Sequence, residues 1–390
     1  MRNNEKIYLD YAASTPLDPK VIKKTRQVEK IFGNPSSIHS FGMVARAVID
    51  RARSEVANFL GAASREIIFT SGATEANNLV IQGLVKYWQR ANSGKAKPHI
   101  ITTVIEHESI LNLIEGLERN EELEVSYLEP NKNGLVSPED VRLALKQNTI
   151  LVSVIFASNV MGAIQPIARI GKIIKEYRKK NKIQYPYFHT DAVQMFQWLD
   201  EKVDDLGVDL LTFSGHKIFG PKGIGGLYIR DNVILYPMIV GGGQEYGFRS
   251  GTENLIGIAA LGEAIKILKP EYKKKVTGLR DFLIKEIEKI PGAKLNVDKS
   301  NIVPHILSAR FSGISGEDLL IALDRAGAAV SYGSACASRA AKTSSALLAI
   351  GLSEKEAGSS PRISLGRTTT KEELVKFLKI LRTTIQNLKK

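Results

Sequence analysis

Seven short apolar runs, separated by stretches with helical spacing, most constrain the fold of this chain. The runs are continuous rather than alternating, which is typical of strands buried on both faces, and helices between such strands favour a mostly parallel sheet. Stretch 167–180 shows the helical part of the pattern, with Ile167, Ile170 and Ile174 on one face. The runs are Ile67–Thr70, His99–Ile105, Leu123–Leu128, Ile150–Ala157, Tyr187–Thr190, Val208–Phe213 and Gly226–Ile229.

The pattern changes after residue 254. A lysine-rich helical stretch over about 255–289 is followed by shorter strands and helices, and Thr370 to Glu373 fits the capping box of a last helix. A chain of 390 residues is too long for one small core, so two domains are expected. We predict an α/β large domain over residues 16–260 and a smaller α+β domain formed by residues 1–15 and 261–390.

Composition narrows the class of protein. No apolar run approaches the length of a membrane span, and the first residues carry no apolar signal core, which predicts a cytoplasmic protein without membrane contact. The single cysteine, Cys336, allows neither an internal disulfide nor a cysteine zinc cluster, and the six histidines lack metal-ligand spacing. The net charge of +13 comes without a nucleic-acid-binding motif, so a solvated basic face is expected, with docking of an acidic partner protein as the alternative.

Lys217 follows the buried run Val208–Phe213 in the segment SGHKIFGPK. Desolvation at such a position favours the neutral, nucleophilic amine, which can form a Schiff base with a carbonyl substrate or with pyridoxal phosphate. Taken alone, a surface lysine that caps a strand is the simpler interpretation. The residues at the ends of the other predicted strands are therefore needed to decide between a Schiff-base lysine and a surface lysine.

Polar side chains follow four other runs, and ligands of open α/β sheets bind at strand ends. Thr74 begins a helix after a glycine turn and could bind a phosphate. His107 could stack on a flat ring or move protons as a catalytic residue, and Asn159 could donate to a carboxylate or a ring oxygen. Asp191 would suit a protonated pyridine nitrogen, with Gln194 near the ring hydroxyl. Each has a simpler alternative as a cap or turn residue.

Ser214 and His216 add two phosphate donors beside Lys217. A phosphate cradle, a stacking ring, a pyridinium partner and a Schiff-base lysine are the parts that pyridoxal phosphate needs. Their joint occurrence favours this cofactor over the separate structural interpretations.

Cys336 lies among small residues, and Arg339 and Lys342 follow it. A lone cysteine is usually a small buried hydrophobe. Flanking glycine, serine and alanine favour a mobile loop instead, and nearby cations favour the thiolate. The pattern therefore indicates a reactive thiol.

At these residues the chain resembles the cysteine desulfurases of the NifS and IscS kind, within the aminotransferase class V group of enzymes that use pyridoxal phosphate. The resemblance implies the fold type I, aspartate-aminotransferase-like architecture, with a mainly parallel seven-stranded sheet in the large domain. Nearly the whole length takes part, through YLDYAAS, GNPSSIH, FTSGATEANN, EHESIL, GAIQPI, HTDAVQ, SGHKIFGPKGIGGLYIR, GGGQEYGFRSGTEN, GSAC and RISLGRTTT.

The resemblance also implies roles. Lys217 would hold the cofactor and move the Cα proton, and the thiolate of Cys336 would attack the sulfur of L-cysteine, giving alanine and a persulfide. A homodimer would pass the sulfur to an acceptor or iron–sulfur scaffold protein; no resident metal is expected, with transient iron–sulfur contact through Cys336 left open. The remaining roles are the ring contacts of His107, Asp191 and Gln194, phosphate binding by Ala73, Thr74, Ser214, His216 and, across the dimer, Thr252, and substrate-carboxylate binding by Asn159 and Arg362.

Two segments depart from the family pattern. Ser158 and Val160 stand where an asparagine and an acid are usual, although Asn159 is kept, and the segment after Cys336 lacks the usual Leu-Glu-Pro. These changes bear on rate, substrate preference and partner choice. We therefore expect a cysteine desulfurase for iron–sulfur cluster assembly or tRNA thiolation. The alternatives are a related lyase or transaminase with the same cofactor, such as a selenocysteine lyase, or a non-catalytic homologue that binds partners.

Overall fold

The computed structural model describes residues 6–92, 96–332 and 344–389. Its strands are β1 (Ile7–Tyr8), β2 (Ile67–Thr70), β3 (His99–Thr103), β4 (Glu124–Leu128), β5 (Thr149–Ser153), β6 (Tyr187–Asp191), β7 (Leu210–Ser214), β8 (Gly225–Ile229), β9 (Ala293–Leu295), β10 (Ile306–Phe311), β11 (Ala328–Ala329), β12 (Ser331–Tyr332) and β13 (Pro361–Ser364). Its α-helices are α1 (Pro19–Val28), α2 (Ser40–Leu60), α3 (Ala73–Ala91), α4 (Glu108–Arg119), α5 (Pro138–Ala144), α6 (Ile167–Asn181), α7 (Val203–Leu206), α8 (Leu255–Lys266), α9 (Pro270–Ile287), α10 (Gly316–Arg325), α11 (Ser345–Ala349), α12 (Glu354–Ala357) and α13 (Lys371–Leu388).

Seven strands form one sheet in the order β2-β8-β7-β6-β5-β3-β4. Strands β4, β3, β5, β6 and β7 run parallel to one another, whereas β8 is antiparallel to both of its neighbours. The predicted mainly parallel sheet of seven strands is confirmed. The reversal of β8 follows from its short connection, because residues 215–224 hold no crossover helix that could return the chain in the parallel direction.

Both faces of this sheet are buried, as the continuous apolar runs predict. Neighbouring residues of a strand point to opposite faces. Ile68 and Ile100 pack into the core that includes α3 and α4, whereas Ile67 and Ile101 pack into the core on the other face, which continues into the C-terminal elements. All four side chains are fully buried.

The C-terminal elements form a second layer. Strands β12, β13, β10 and β9 make an antiparallel sheet, and β1 pairs in parallel with β11, so residues 7–8 join this part of the molecule. The capping box of Thr370 and Glu373 is confirmed at the start of α13. The division into residues 16–260 and residues 1–15 with 261–390 stays a prediction.

The helical stretch expected over 255–289 consists of two helices, α8 and α9. Pro270 takes the first turn of α9, where its missing amide hydrogen costs no helical hydrogen bond. Within the described residues, no helix is both long and apolar enough to cross a membrane. The carboxyl ends of β2, β3, β5, β6 and β7 share one edge of the large sheet, because these strands run in the same direction.

Candidate active site

A cavity of about 460 Å³ opens at this edge of the sheet. Its walls come from the carboxyl ends of five strands, the N-terminus of α3, residues 12–14 and β13. The convergence of strand ends that the sequence predicts is therefore present. Of the predicted site residues, the cavity is lined by Ala73, Thr74, His107, Asn159, Asp191, Gln194, Ser214, His216, Lys217 and Arg362.

Lys217 lies on one wall, in the single 3-10 turn that follows β7. Its Nζ donates to the carbonyl oxygens of Ala12 at 2.6 Å and Ala13 at 2.9 Å. The N-terminal segment thus fixes the position of the amine. This lysine does not simply cap the strand at the surface, because it is partly buried and lines the cavity at the end of a buried strand.

Asp191 ends β6 and is 4% exposed. Its carboxylate accepts hydrogen bonds from Asn77 Nδ2 at 3.0 Å and from the Val193 amide at 3.0 Å, both neutral donors. Among the ion pairs of the described residues, none involves Asp191. A buried carboxylate that faces a cavity and has only neutral hydrogen-bond donors around it is suited to bind a cationic group of a ligand.

The N-terminus of α3 lies in the wall of the cavity and could bind an anion. Ala73 and Thr74 begin this helix, whose first amide groups have no partner within the helix. Gly225 lets β8 approach the turn before α3, since a Cβ there would lie 2.8 Å from Cα of Gly72. Burial and the nearby charges of Lys217 and Lys222 lower the pKa of His216 to about 4, so its ring is neutral at pH 7.

His107 is both the N-cap of α4 and part of the cavity wall. Its Nδ1 accepts from the Ser109 amide at 3.1 Å and lies 2.9 Å from the Ser109 hydroxyl. The two interpretations that the sequence left open are therefore compatible. The hydrogen bonds fix the ring where a flat ligand would meet it.

Glu106, one residue earlier, is a buried acid that the sequence analysis did not assign. Its Oε1 accepts from the Thr103 hydroxyl at 2.9 Å and the Ile155 amide at 2.6 Å, while Oε2 has no partner among the described residues. Burial raises the pKa of Glu106 to about 8, against the opposing effect of these two donors, and the charge of Asp191 adds to the rise. The acid is thus mostly protonated at pH 7.

Arg362 and Asn159 line the same cavity and contact each other. The guanidinium is 2% exposed; Nη1 donates to the Asn159 carbonyl at 2.7 Å, and Nη2 to Asp10 Oδ1 at 2.9 Å. Its Nε has no partner among the described residues. This group is therefore held in place and keeps donor capacity for a carboxylate.

Thr252 lies outside this cavity. It lines an adjacent recess with Ser71 and Gly223, next to the Arg249–Glu75 ion pair of 2.9 Å. Cys336 lies outside the described residues. The roles of the individual site residues stay predictions at this point.

Sequence reasoning missed several residues of the site. Asn77 lies inside the quoted segment FTSGATEANN, but nothing in the spacing indicated that it would bind Asp191. Lys222 also lines the cavity, five residues after Lys217 in the segment SGHKIFGPK, but it has no feature there that separates it from an ordinary loop lysine. Asp10 could not have been paired with Arg362, because 352 residues separate them.

A sequence profile of aminotransferase class-V matches residues 7–377, nearly the whole chain. The chain belongs to the aminotransferase class-V family. It is similar to the cysteine desulfurase IscS of Dictyoglomus turgidum, with 44% identity over 388 residues that cover 98% of this chain and 95% of that protein.

Solved structures with a similar fold agree with the sequence comparison. A NifS-like protein superposes with a TM-score of 0.90 at 34% identity, covering 98% of this chain and 100% of that one. The structure of SspA in complex with cysteine superposes with a TM-score of 0.81 at 36% identity, covering 93% of this chain and 100% of that one. The predicted resemblance to cysteine desulfurases, the fold class and pyridoxal phosphate as the cofactor are confirmed.

The cavity fits this cofactor. Asp191 offers a buried carboxylate for the pyridine nitrogen, and the free amide groups of α3 offer donors for the phosphate. Lys217 and Lys222 add positive charge on the same walls. The donors and the acid lie where a flat, anionic ligand with a protonated ring would need them.

Proposed function

We propose that this protein is a cysteine desulfurase that converts L-cysteine to L-alanine and leaves the sulfur as a persulfide on Cys336. The observation that carries the proposal is the presence of Lys217 and Asp191 on the walls of one cavity. Similarity to cysteine desulfurases over 98% of the chain supports it. A cysteine complex among the structural neighbours supports the substrate.

The described residues suggest a division of tasks. When bound, pyridoxal phosphate supplies an electron sink that makes the bond between Cβ and sulfur easier to break. The Lys217 amine would hold the cofactor and move the proton at the substrate Cα, and Asp191 would keep a proton on the ring nitrogen. Arg362 and Asn159 would bind the substrate carboxylate.

The reaction balances without an external oxidant or reductant. The bond between Cβ and sulfur of the substrate breaks, a sulfur–sulfur bond to Cys336 forms, and Cβ receives a proton to give alanine. The strand β12 ends four residues before Cys336, and its Ser331 pairs with Arg362 of β13.

The sulfur would pass to an acceptor protein of iron–sulfur cluster assembly or tRNA thiolation. The net charge of +13 is consistent with an acidic acceptor. The cytoplasmic location stays a prediction.

We also propose a homodimer. Large apolar side chains are exposed around the start of α2 and on the segment after β8, among them Phe32 at 82%, Ile38 at 96% and Val240 at 70%. The two regions are neighbours, because Ser36 and residues 242–246 line one recess. A second copy covering this patch would bring its own surface next to the recess of Thr252, which supports a phosphate contact across the dimer.

The decisive experiment adds L-cysteine to the holoenzyme and measures both free alanine and the mass of the peptide that contains Cys336. We expect alanine release together with one added sulfur atom on that peptide. Cys336→Ala is the matched control and should lose both signals while it still binds the cofactor. Alanine formation by Cys336→Ala at the full rate would contradict the persulfide mechanism and favour a lyase or transaminase.

A further inference from the structure

Gln194 is held by a buried chain of hydrogen bonds that reaches away from the cavity. Its Oε1 lies 3.1 Å from Nε2 of His305, and Nδ1 of His305 lies 2.8 Å from the indole Nε1 of Trp198. All three side chains are between 2% and 5% exposed. Trp198 and Gln194 precede α7, whereas His305 directly precedes β10, so the chain joins two distant segments.

The chemistry of these groups fixes the direction of each hydrogen bond. An indole nitrogen can only donate, so Nδ1 of His305 must accept. Burial and the positive charges of Arg362, Lys217 and Arg280 lower the pKa of His305 to about 3, which keeps the ring neutral. The remaining ring proton therefore lies on Nε2 and is donated to Oε1 of Gln194.

The amide of Gln194 then has one orientation. Oε1 is engaged by His305, and Nε2 donates to the Ala12 carbonyl at 3.0 Å. The second amide hydrogen stays available on the side of the cavity that Gln194 lines. A flipped amide would direct its oxygen toward the Ala12 carbonyl and would lose both partners.

We propose that His305, with its tautomer set by Trp198, is a positioning residue that holds the amide group of Gln194 as a donor toward the ring oxygen of the cofactor. The proposal rests on the proposed function through the contact of Gln194 with the ring. It assigns a role to two residues that do not themselves need to touch the cofactor. An amide polarised by a donor at its oxygen is also a better donor at its nitrogen.

The first test needs no cofactor. With the histidines labelled by ¹⁵N, nuclear magnetic resonance of the apoprotein should show His305 as the neutral Nε2–H tautomer from about pH 5 to pH 8, a range in which an ordinary histidine titrates. Trp198→Phe removes the indole donor and should produce a mixture of tautomers. A protonated ring, or an unchanged tautomer in Trp198→Phe, would overturn the proposal.

The second test uses the holoenzyme and the variants His305→Phe and His305→Gln. A ring oxygen that has lost a donor holds a proton more tightly, so the pH titration of the cofactor's visible absorbance should move upward by about one unit in His305→Phe. The dissociation constant of pyridoxal phosphate should rise about tenfold. His305→Gln keeps a donor amide and should recover part of both changes.

His99→Phe is the matched control. His99 is also fully buried and bonded to two hydroxyls, Thr149 at 2.8 Å and Ser126 at 2.9 Å, but it begins β3 at the far end of the sheet. The His99→Phe variant should be less stable than wild type, but its cofactor absorbance should titrate at the same pH as in wild type. If wild type binds no pyridoxal phosphate, the proposed function fails; if wild type binds it and His305→Phe titrates like wild type, this inference alone fails.

Discussion

The ion pair between Arg53 and Glu245 offers a quantitative test of how the site is supported. Both side chains are 3% exposed, and the pair is bidentate, with 2.7 Å from Nη1 to Oε2 and 2.7 Å from Nη2 to Oε1. Glu245 also accepts from the Phe69 amide of β2 at 2.8 Å. The pair thus ties α2 and β2 to the glycine-rich loop that leads to Arg249 and Thr252.

Glu245→Ala should destabilise the protein strongly, because it leaves a buried guanidinium without its counter-charge. Removing one partner of a buried pair costs about 3–5 kcal/mol. With about 2.1 cal/mol/K of unfolding entropy per residue, that loss corresponds to a fall in Tm of about 4–6 °C for 390 residues. Thermal unfolding followed by circular dichroism measures it.

The double variant Arg53→Met/Glu245→Ala removes both charges and should cost at least about 2 kcal/mol less than the sum of the two single variants. Asp231→Ala is the control, since its bidentate pair with Arg65 is exposed and should contribute little to Tm. The reasoning would be refuted if the stability loss of the double variant equalled the sum of the losses of the two single variants, or if Glu245→Ala had the same Tm as wild type.

Two further predictions concern the buried acid and the exposed patch. Since the folded protein keeps the proton of Glu106 up to about pH 8 and an unfolded glutamate loses it near about pH 4.3, stability should fall as pH rises between these values, by up to about 1.4 kcal/mol per unit. Glu106→Gln cannot lose that proton, so its Tm relative to wild type should rise from pH 5 to pH 8; a difference independent of pH would contradict the assignment. Phe41→Asp should convert the proposed dimer to a monomer in sedimentation velocity and weaken cofactor binding, whereas Val375→Asp on α13, at a similarly exposed apolar position, should leave the dimer intact. A wild-type monomer at micromolar concentration would rule out the dimer.

The large sheet could be predicted from the sequence because burial on both faces produces continuous apolar runs, and Ile100 and Ile101 show that both faces are occupied. The candidate site could be predicted because parallel strands bring their carboxyl ends together, so that Thr74, His107 and Asp191 lie around one cavity. The direction of β8 was not predicted, although the connection between β7 and β8 is too short in the sequence for a crossover helix and favours an antiparallel strand.

Contacts between distant segments also could not be predicted from the sequence. A tryptophan at 198 and a histidine at 305 carry no spacing signal, and their partnership depends on how β10 packs on the large domain. Likewise, the position of Glu106 in the sequence is typical of an acid near the start of a helix, although its side chain is only 6% exposed. Periodicity reports which face a residue lies on, whereas these pairings depend on tertiary packing.

The N-terminal segment has a consequence for synthesis of the chain. The amide of Leu9 donates a hydrogen bond to the carbonyl of Ala329, and Asp10 forms an ion pair with Arg362, 352 positions further along the sequence. The carbonyl of Ala12 accepts a hydrogen bond from Nζ of Lys217. A ribosome that has released residues up to 300 exposes every strand of the large sheet, but not the partners of Leu9 and Asp10. The part of the cavity wall that contains Arg362 can therefore form only after the C-terminal sheet has been synthesised, so the cavity is incomplete in a nascent chain that lacks this sheet.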